Sequence, residues 1–238
     1  MYEKKVTWDF SEPLHLWLAR RIVKNFKDIA NLKESETKVL EVGSGTGRLA
    51  RVFLDQGWKS YSAIEPTTSL AEATRALRKD IIVYENYLPD IPKELMESKD
   101  LVVSLHVIEH ADGPYAARQW LSGMADCVSP GGYLLIACPD IRDWKSAFWY
   151  SDWSHGWPTT PQRVADLAAD LDLTVIHAGD LYIGSRKVPM MMLARIVSLF
   201  IPVRLGDWLG MKLVNRPLAS GIKQALFWGL TFVVLRKK

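Results

Sequence analysis

The sequence predicts an α/β protein, a parallel sheet covered by helices on both faces. Two observations carry this expectation. Strand-like and helix-like segments alternate along the chain, the pattern of successive βαβ units. The strand-like segments are short apolar runs without strict alternation, as expected where a strand is covered on both sides. A length of 238 residues, with 48% hydrophobic and 24% charged residues, suits a single domain, 1–238, with ample core material.

Taken in order, Leu14, Trp17, Leu18, Ile22 and Phe26 recur at helical spacing and predict a helix from about Pro13 to Ala30, inside an N-terminal helical segment, 1–32. Lys38 to Val42 reads as a short buried strand running into a glycine turn, and the helix after that turn stops at Gly57. A second strand is expected at Ser60 to Ile64, a helix near Leu70 to Arg78 and a third strand at Ile81 to Tyr84. A fourth strand begins at Asp100, and a helix spans Tyr115 to Val128. Ser129-Pro130-Gly131-Gly132 reads as a turn before a fifth strand, Tyr133 to Cys138. A tryptophan-rich loop, a helix from Pro161 to Leu171 and a sixth strand from Leu173 to Gly179 follow, and the apolar run from Leu230 suits a buried last strand. Nothing repeats internally.

Gly43-Ser44-Gly45-Thr46-Gly47 lies between a strand and a helix, where glycines let the backbone approach a ligand closely. Dinucleotide binding is the obvious competitor. Its G-x-G-x-x-G fingerprint requires a third glycine where this chain has Arg48, so that reading fails. Instead an acid, Glu41, stands two residues before the first glycine. A fixed negative charge there repels a pyrophosphate and suits a ligand with a cationic amino-acid end. Glu65, at the end of the second strand, can accept hydrogen bonds from two ribose hydroxyls.

From Lys38 to Asp140 the successive segments VLEVGSGTG, AIEP, DLVVSLHVIEH and SPGGYLLIACPD resemble the core motifs of class I S-adenosylmethionine-dependent methyltransferases. The resemblance implies a Rossmann-like, seven-stranded sheet whose last strand runs antiparallel between the fifth and sixth. It implies S-adenosyl-L-methionine as cofactor, with Glu41 and the loop Gly43, Ser44, Gly45 and Gly47 at its methionine part. Glu65 and Pro66 would meet the ribose, and Glu85 and Asn86 would border the adenine. Leu105, His106 and His110 would lie against the cofactor after the fourth strand.

Methyl transfer is an in-line displacement, so a protein positions the nucleophile and removes its proton. His106-Val107-Ile108-Glu109-His110 formally matches a zinc-protease pattern, but that pattern needs both histidines on one helical face. Here the segment begins as a strand and runs into Asp112-Gly113-Pro114, so no metal is expected. The loop after the fifth strand packs Trp144, Phe148, Trp149, Tyr150, Trp153, His155 and Trp157 close together. Ligands of open α/β sheets bind beyond the strands' carboxyl ends, which places this loop beside the acceptor. Trp149, Tyr150, Trp153 and Trp157 are the expected acceptor contacts, and several of these rings are expected only to pack the loop down. Asp152, His155, Trp157, Thr160 and Pro161 resemble a D-x-x-H-x-W/R-x-x-T-P segment of methyltransferases associated with surface glycans and specialised metabolites. His155 is the first candidate for the general base, with His110 the second.

From 185 to 228 a helical insertion precedes the last strand. It carries Arg186, Lys187, Arg195, Arg204, Lys212, Arg216 and Lys223 against the single acid Asp207, so the chain's net charge of +3 is a local property. Pro189, Pro202 and Pro217 divide it. Basic and apolar residues so mixed suit a lid, a homodimer contact or a segment touching anionic lipid at the membrane surface; no stretch is apolar enough to cross a bilayer. Cys127 and Cys138 match no metal spacing and read as buried thiols of a cytoplasmic protein. The N-terminal sequence reads as lacking a signal peptide, and the basic residues form no nucleic-acid stripe. Three functions remain in view: O-methylation of a sugar hydroxyl in glycan or polysaccharide biosynthesis, O-methylation of a small aromatic or lipid-like metabolite such as a quinone precursor, and non-catalytic cofactor binding.

Overall fold

The computed structural model describes residues 12–150, 152–182, 208, 209, 212 and 229–238. The first eleven residues of the N-terminal segment and nearly all of the 185–228 insertion lie outside the described residues.

α1 (Glu12–Lys27) buries Leu18, Ile22 and Phe26, one stripe of an amphipathic helix. Trp17, expected in that stripe, is 41% exposed and lies under the Arg21 guanidinium. β1 (Lys38–Val42), α2 (Arg48–Asp55), β2 (Ser60–Ile64), α3 (Thr68–Arg75) and β3 (Ile82–Tyr84) form the first half of the sheet. β4 (Lys99–Leu105), α4 (Gly113–Cys127) and β5 (Val128–Pro139) follow, then the short helices α5 (Ile141–Trp144) and α6 (Ala147–Tyr150). α7 (Pro161–Ala169), β6 (Thr174–Tyr182) and β7 (Gly229–Arg236) complete the described fold.

The sheet has seven strands in the order β3-β2-β1-β4-β5-β7-β6. β7 is antiparallel to both of its neighbours, and the other pairings are parallel. The order reverses between β1 and β4, the switch point at which open α/β sheets hold ligands. Alternate residues of each strand feed two core layers. Val39, Leu101, Leu135 and Val234 pack with α1 and α2, whereas Leu40, Val102, Ile136 and Val233 pack with α4 and α7.

Two expectations change. Ser129-Pro130-Gly131-Gly132 is not a turn before β5: the strand starts at Val128, directly after α4, and its register against β4 slips between Lys99 and Leu101. The glycines serve that irregularity. Gly131 has φ +77°, and a Cβ on Gly132 would lie 3.0 Å from the Asp100 carbonyl oxygen. α3 and α7 end earlier than the apolar spacing suggests, at Arg75 and Ala169. Thr160 caps α7 by accepting the Arg163 N–H, with Pro161 in the first turn. Cys127 and Cys138 are free and buried. No helix among the described residues is long and apolar enough to cross a membrane.

Phe53 of α2 is fully buried, with its ring 5.0 Å edge-on to Trp58 and 5.8 Å from Tyr61. Phe53→Ala leaves a cavity under the sheet and should cost about 3–5 kcal/mol in equilibrium urea unfolding; a loss below about 1 kcal/mol would contradict this placement of the core.

Candidate functional site

The loop between β1 and α2 needs its glycines for different reasons. Gly43, Gly45 and Gly47 have φ of +77°, +53° and +74°, in the left-handed region. A Cβ on Gly43 would meet Val107 Cγ2 at 2.4 Å, and one on Gly47 would meet Leu77 Cδ1 at 2.6 Å. A Cβ on Gly45 would meet nothing within 4 Å, so the loop's middle faces open space. Ser44 Oγ and Thr74 Oγ1 share a hydrogen bond of 3.0 Å that ties the loop to α3.

Glu65 follows β2 directly and is almost fully buried. Its carboxylate accepts the Gly45 N–H at 2.8 Å and the Thr67 N–H at 3.0 Å, which fixes it against the loop. A carboxylate has about four acceptor sites, so hydroxyl donors can still be received. Pro66 is half-buried beside it. Glu85 follows β3 and is exposed; the Thr68 hydroxyl at 2.6 Å and the Arg75 guanidinium at 2.8 Å hold its carboxyl below the usual range. Asn86 is half-buried next to it.

Glu41 requires a correction. It is 2% exposed and points into the core layer beneath α2, where the Tyr61 hydroxyl and the Ala50 N–H donate to it. Burial pushes its carboxyl up to about 8, despite the hydrogen bond from Tyr61 that pulls it down. At neutral pH it is mostly uncharged, and it is not the fixed negative charge that the sequence suggested.

β4 ends at Leu105, which is half-buried, and His106 follows at φ +57°, a conformation uncommon outside glycine. The His106 Nδ1 lies 3.3 Å from Glu109 Oε1. Ile108–His110 is a single 3-10 turn, so the two histidines of the H-x-x-E-H pattern do not share an α-helical face. Glu109 is fully buried, and its backbone carbonyl accepts the N–H groups of Gly156 and Trp157 at 2.9 and 3.1 Å. This clips the tryptophan-rich loop onto the β4 turn. Only glycine fits at 156, where a Cβ would lie 2.4 Å from the Ala111 carbonyl oxygen.

The clip brings together two motifs distant in sequence. His110 Nδ1 lies 2.9 Å from Ser154 Oγ, and Ser154 Oγ donates to Asp152 Oδ1 at 2.6 Å. Because the serine proton is committed to a carboxylate, Ser154 must accept from His110, which fixes the Nδ1–H tautomer and leaves Nε2 bare. The His155 Nδ1 meets the Phe148 carbonyl oxygen and is likewise the protonated nitrogen. The two imidazole centroids are 5.0 Å apart. Burial pushes the Asp152 carboxyl up, but hydrogen bonds from Ser154 and the nearby His110 and His155 outweigh it and hold it below its usual value.

The expected acceptor residues divide. Trp153 is 87% exposed and Trp149 is 48% exposed. Trp157 is buried in the core on the α4 and α7 side, with Arg163 over its ring at 5.3 Å, and it presents no face to an acceptor. The side chain of Tyr150 lies outside the described residues. Sequence reasoning gave no role to Glu109 or Ser154 and named Phe148 only as one of the loop's rings; Glu109 stood in plain view between the named histidines.

A family model described as a methyltransferase domain matches residues 14–178. The chain belongs to the methyltransferase domain family. It is a class I methyltransferase that uses S-adenosylmethionine. Among solved structures, a candidate sarcosine dimethylglycine methyltransferase from Galdieria sulphuraria shares 14% identity over 93% of this chain and 84% of its own, with a TM-score of 0.63. An S-adenosylmethionine-dependent methyltransferase from Archaeoglobus fulgidus shares 15% over 96% and 98%, with a TM-score of 0.59. The [4+2]-cyclase SpnF shares 14% over 99% and 85%, with a TM-score of 0.63. At such identities these likenesses concern the fold. No curated protein sequence matches this methyltransferase.

The buried Glu41 makes stability depend on pH. Its folded value, about 8, lies above the ordinary 4.5, so the native state holds the extra proton between those values. The stabilisation is complete below about pH 4.5 and is lost as pH rises through 8, by up to about 1.4 kcal/mol per unit. Glu41→Gln, which cannot ionise, should flatten this slope in urea unfolding between pH 5.5 and 8; an unchanged slope would contradict a neutral Glu41.

Proposed function

We propose that this methyltransferase methylates a hydroxyl group of a sugar, in glycan or polysaccharide biosynthesis. The observation that carries the reading is the pair of imidazoles, His110 and His155, each with a bare Nε2, with the exposed indoles of Trp149 and Trp153 on the same loop as His155. Indole faces suit the apolar faces of a sugar ring, and a bare imidazole nitrogen suits its hydroxyl hydrogen.

The cofactor fits the residues opposite. Open space over Gly45 and the fixed Glu65 carboxylate are what a nucleoside with an amino-acid tail requires. When bound, S-adenosylmethionine supplies an electrophilic methyl group on a sulfonium. Gly43, Ser44, Gly45 and Gly47 hold the amino-acid end in this reading, Glu65 and Pro66 the ribose, and Glu85 and Asn86 the rim of the adenine site. Leu105 and His106 border it from β4. Glu41 acts from below, by holding Tyr61 and the start of α2 in place.

The sequence ranks His155 first as base, whereas the geometry favours His110. Ser154 and Asp152 stand behind His110 and stabilise the imidazolium that forms when it takes a proton, as the third member of a catalytic triad does. His155, its ring centroid 5.0 Å from that of His110 and held by the Phe148 carbonyl, orients the acceptor in this reading. The composition of 185–228, basic and apolar, supports a lid, a contact between two copies or a membrane-surface segment. It is also the feature that favours the second reading, a lipid-like or aromatic acceptor.

With a glycan or nucleotide-sugar acceptor, His110→Ala should lower turnover at least about 100-fold while the affinity for S-adenosylhomocysteine stays within twofold. Turnover near that of the wild type would remove His110 from this role.

A further inference from the structure

One feature of the cluster exceeds what proton transfer needs. Glu109 is fully buried, and although Oε1 lies near His106, Oε2 has no hydrogen-bond partner. Native proteins rarely leave a buried carboxylate oxygen unpartnered, because the lost hydration is not repaid. One donor atom each from Glu109, His110 and His155 lie within 4.8 Å of one another.

The protonation pattern fits the same use. A histidine that binds a metal ion through one nitrogen donates the other N–H to a carbonyl, a carboxylate or a bridging group, which fixes the tautomer and aims the ring. His155 has the Phe148 carbonyl in that position, and His110 has Ser154 backed by Asp152. Both Nε2 lone pairs therefore remain available as ligands, together with the orphaned Glu109 oxygen.

We propose that Glu109, His110 and His155 bind a divalent transition-metal ion of zinc's type. Two imidazole nitrogens and one carboxylate oxygen form the donor set of zinc, ferrous or cobalt sites, whereas magnesium and calcium prefer oxygen alone. Three protein ligands leave a position open for an exogenous group. The proposal deepens the function above, and rests on it only for the identity of that group, the acceptor hydroxyl. With the ion bound, His110 would serve as a ligand in place of its role as base, and the ion would lower the pKa of a bound hydroxyl, whose proton would pass to solvent water.

The test is a titration of the metal-stripped full chain with Zn²⁺ by calorimetry and with Co²⁺ by visible absorption, alongside S-adenosylhomocysteine binding to each protein. One ion per chain is expected, with ligand-field bands from Co²⁺. His155→Ala and Glu109→Gln should each weaken binding at least about tenfold, because each removes a ligand. His177→Ala, on β6 with its ring against Phe232, serves as the control and should change nothing. Absence of metal binding, or binding that both ligand substitutions leave intact while S-adenosylhomocysteine still binds, overturns the site. If wild type binds the ion but not S-adenosylhomocysteine, the metal site stands and the methyltransfer reading fails.

Discussion

The approach of Val107 to Gly43 is the constraint on which the site depends. β1 and β4 are neighbours where the strand order reverses, so their following loops leave the sheet in opposite directions. Val107 occupies the space that a Cβ on Gly43 would fill, 2.4 Å from its Cγ2, and so seats the glycine loop against the β4 turn. The same turn holds the third loop through the Glu109 carbonyl, which accepts the N–H groups of Gly156 and Trp157. Glycine loop, histidine turn and aromatic loop are therefore one packed unit, and a displacement of any of them moves the others.

Electrostatics divide the acids of this unit by burial and partners. At the sheet's carboxyl end the buried Glu65 receives two backbone N–H donors, and the exposed Glu85 a hydroxyl and a guanidinium. Glu41 lies beneath, between Tyr61 and α2, and burial outweighs its hydrogen bonds. Its place in the motif follows from packing: a carboxyl that joins β1, β2 and the start of α2 fixes the base of the loop without charging it. Asp152 keeps a low pKa although partly buried, because Ser154 and two histidines surround it. One carboxyl in the region is thus kept neutral and another kept charged, by opposite balances of the same two effects.

Much of this was legible in the chain. β1 and β2 have the bounds their apolar runs predict, and the glycine spacing located the loop. The start of β5 was hidden because Ser-Pro-Gly-Gly is a turn signal that also serves a strand irregularity, and local sequence does not separate the two. Trp153 and Trp157 could not be told apart by composition: one is 87% exposed and the other 3%, a difference set by the backbone clip at Glu109. The meeting of His110 with Ser154, 44 residues apart, rests on that same backbone contact, and main-chain partners leave no side-chain pattern to read. The charge state of Glu41 was misread for a similar reason, since burial is a property of the folded neighbourhood.

The cofactor site tests the account most directly. Calorimetric titration with S-adenosylhomocysteine should show binding to wild type and none to Gly45→Arg, with the variant's circular dichroism unchanged. Gly45 faces open space, so the arginine enters the cleft and not the core, at the cost of some local strain from its left-handed φ of +53°. Binding to both proteins with equal affinity would mean that the cofactor does not lie over this loop, and would contradict the arrangement of the site.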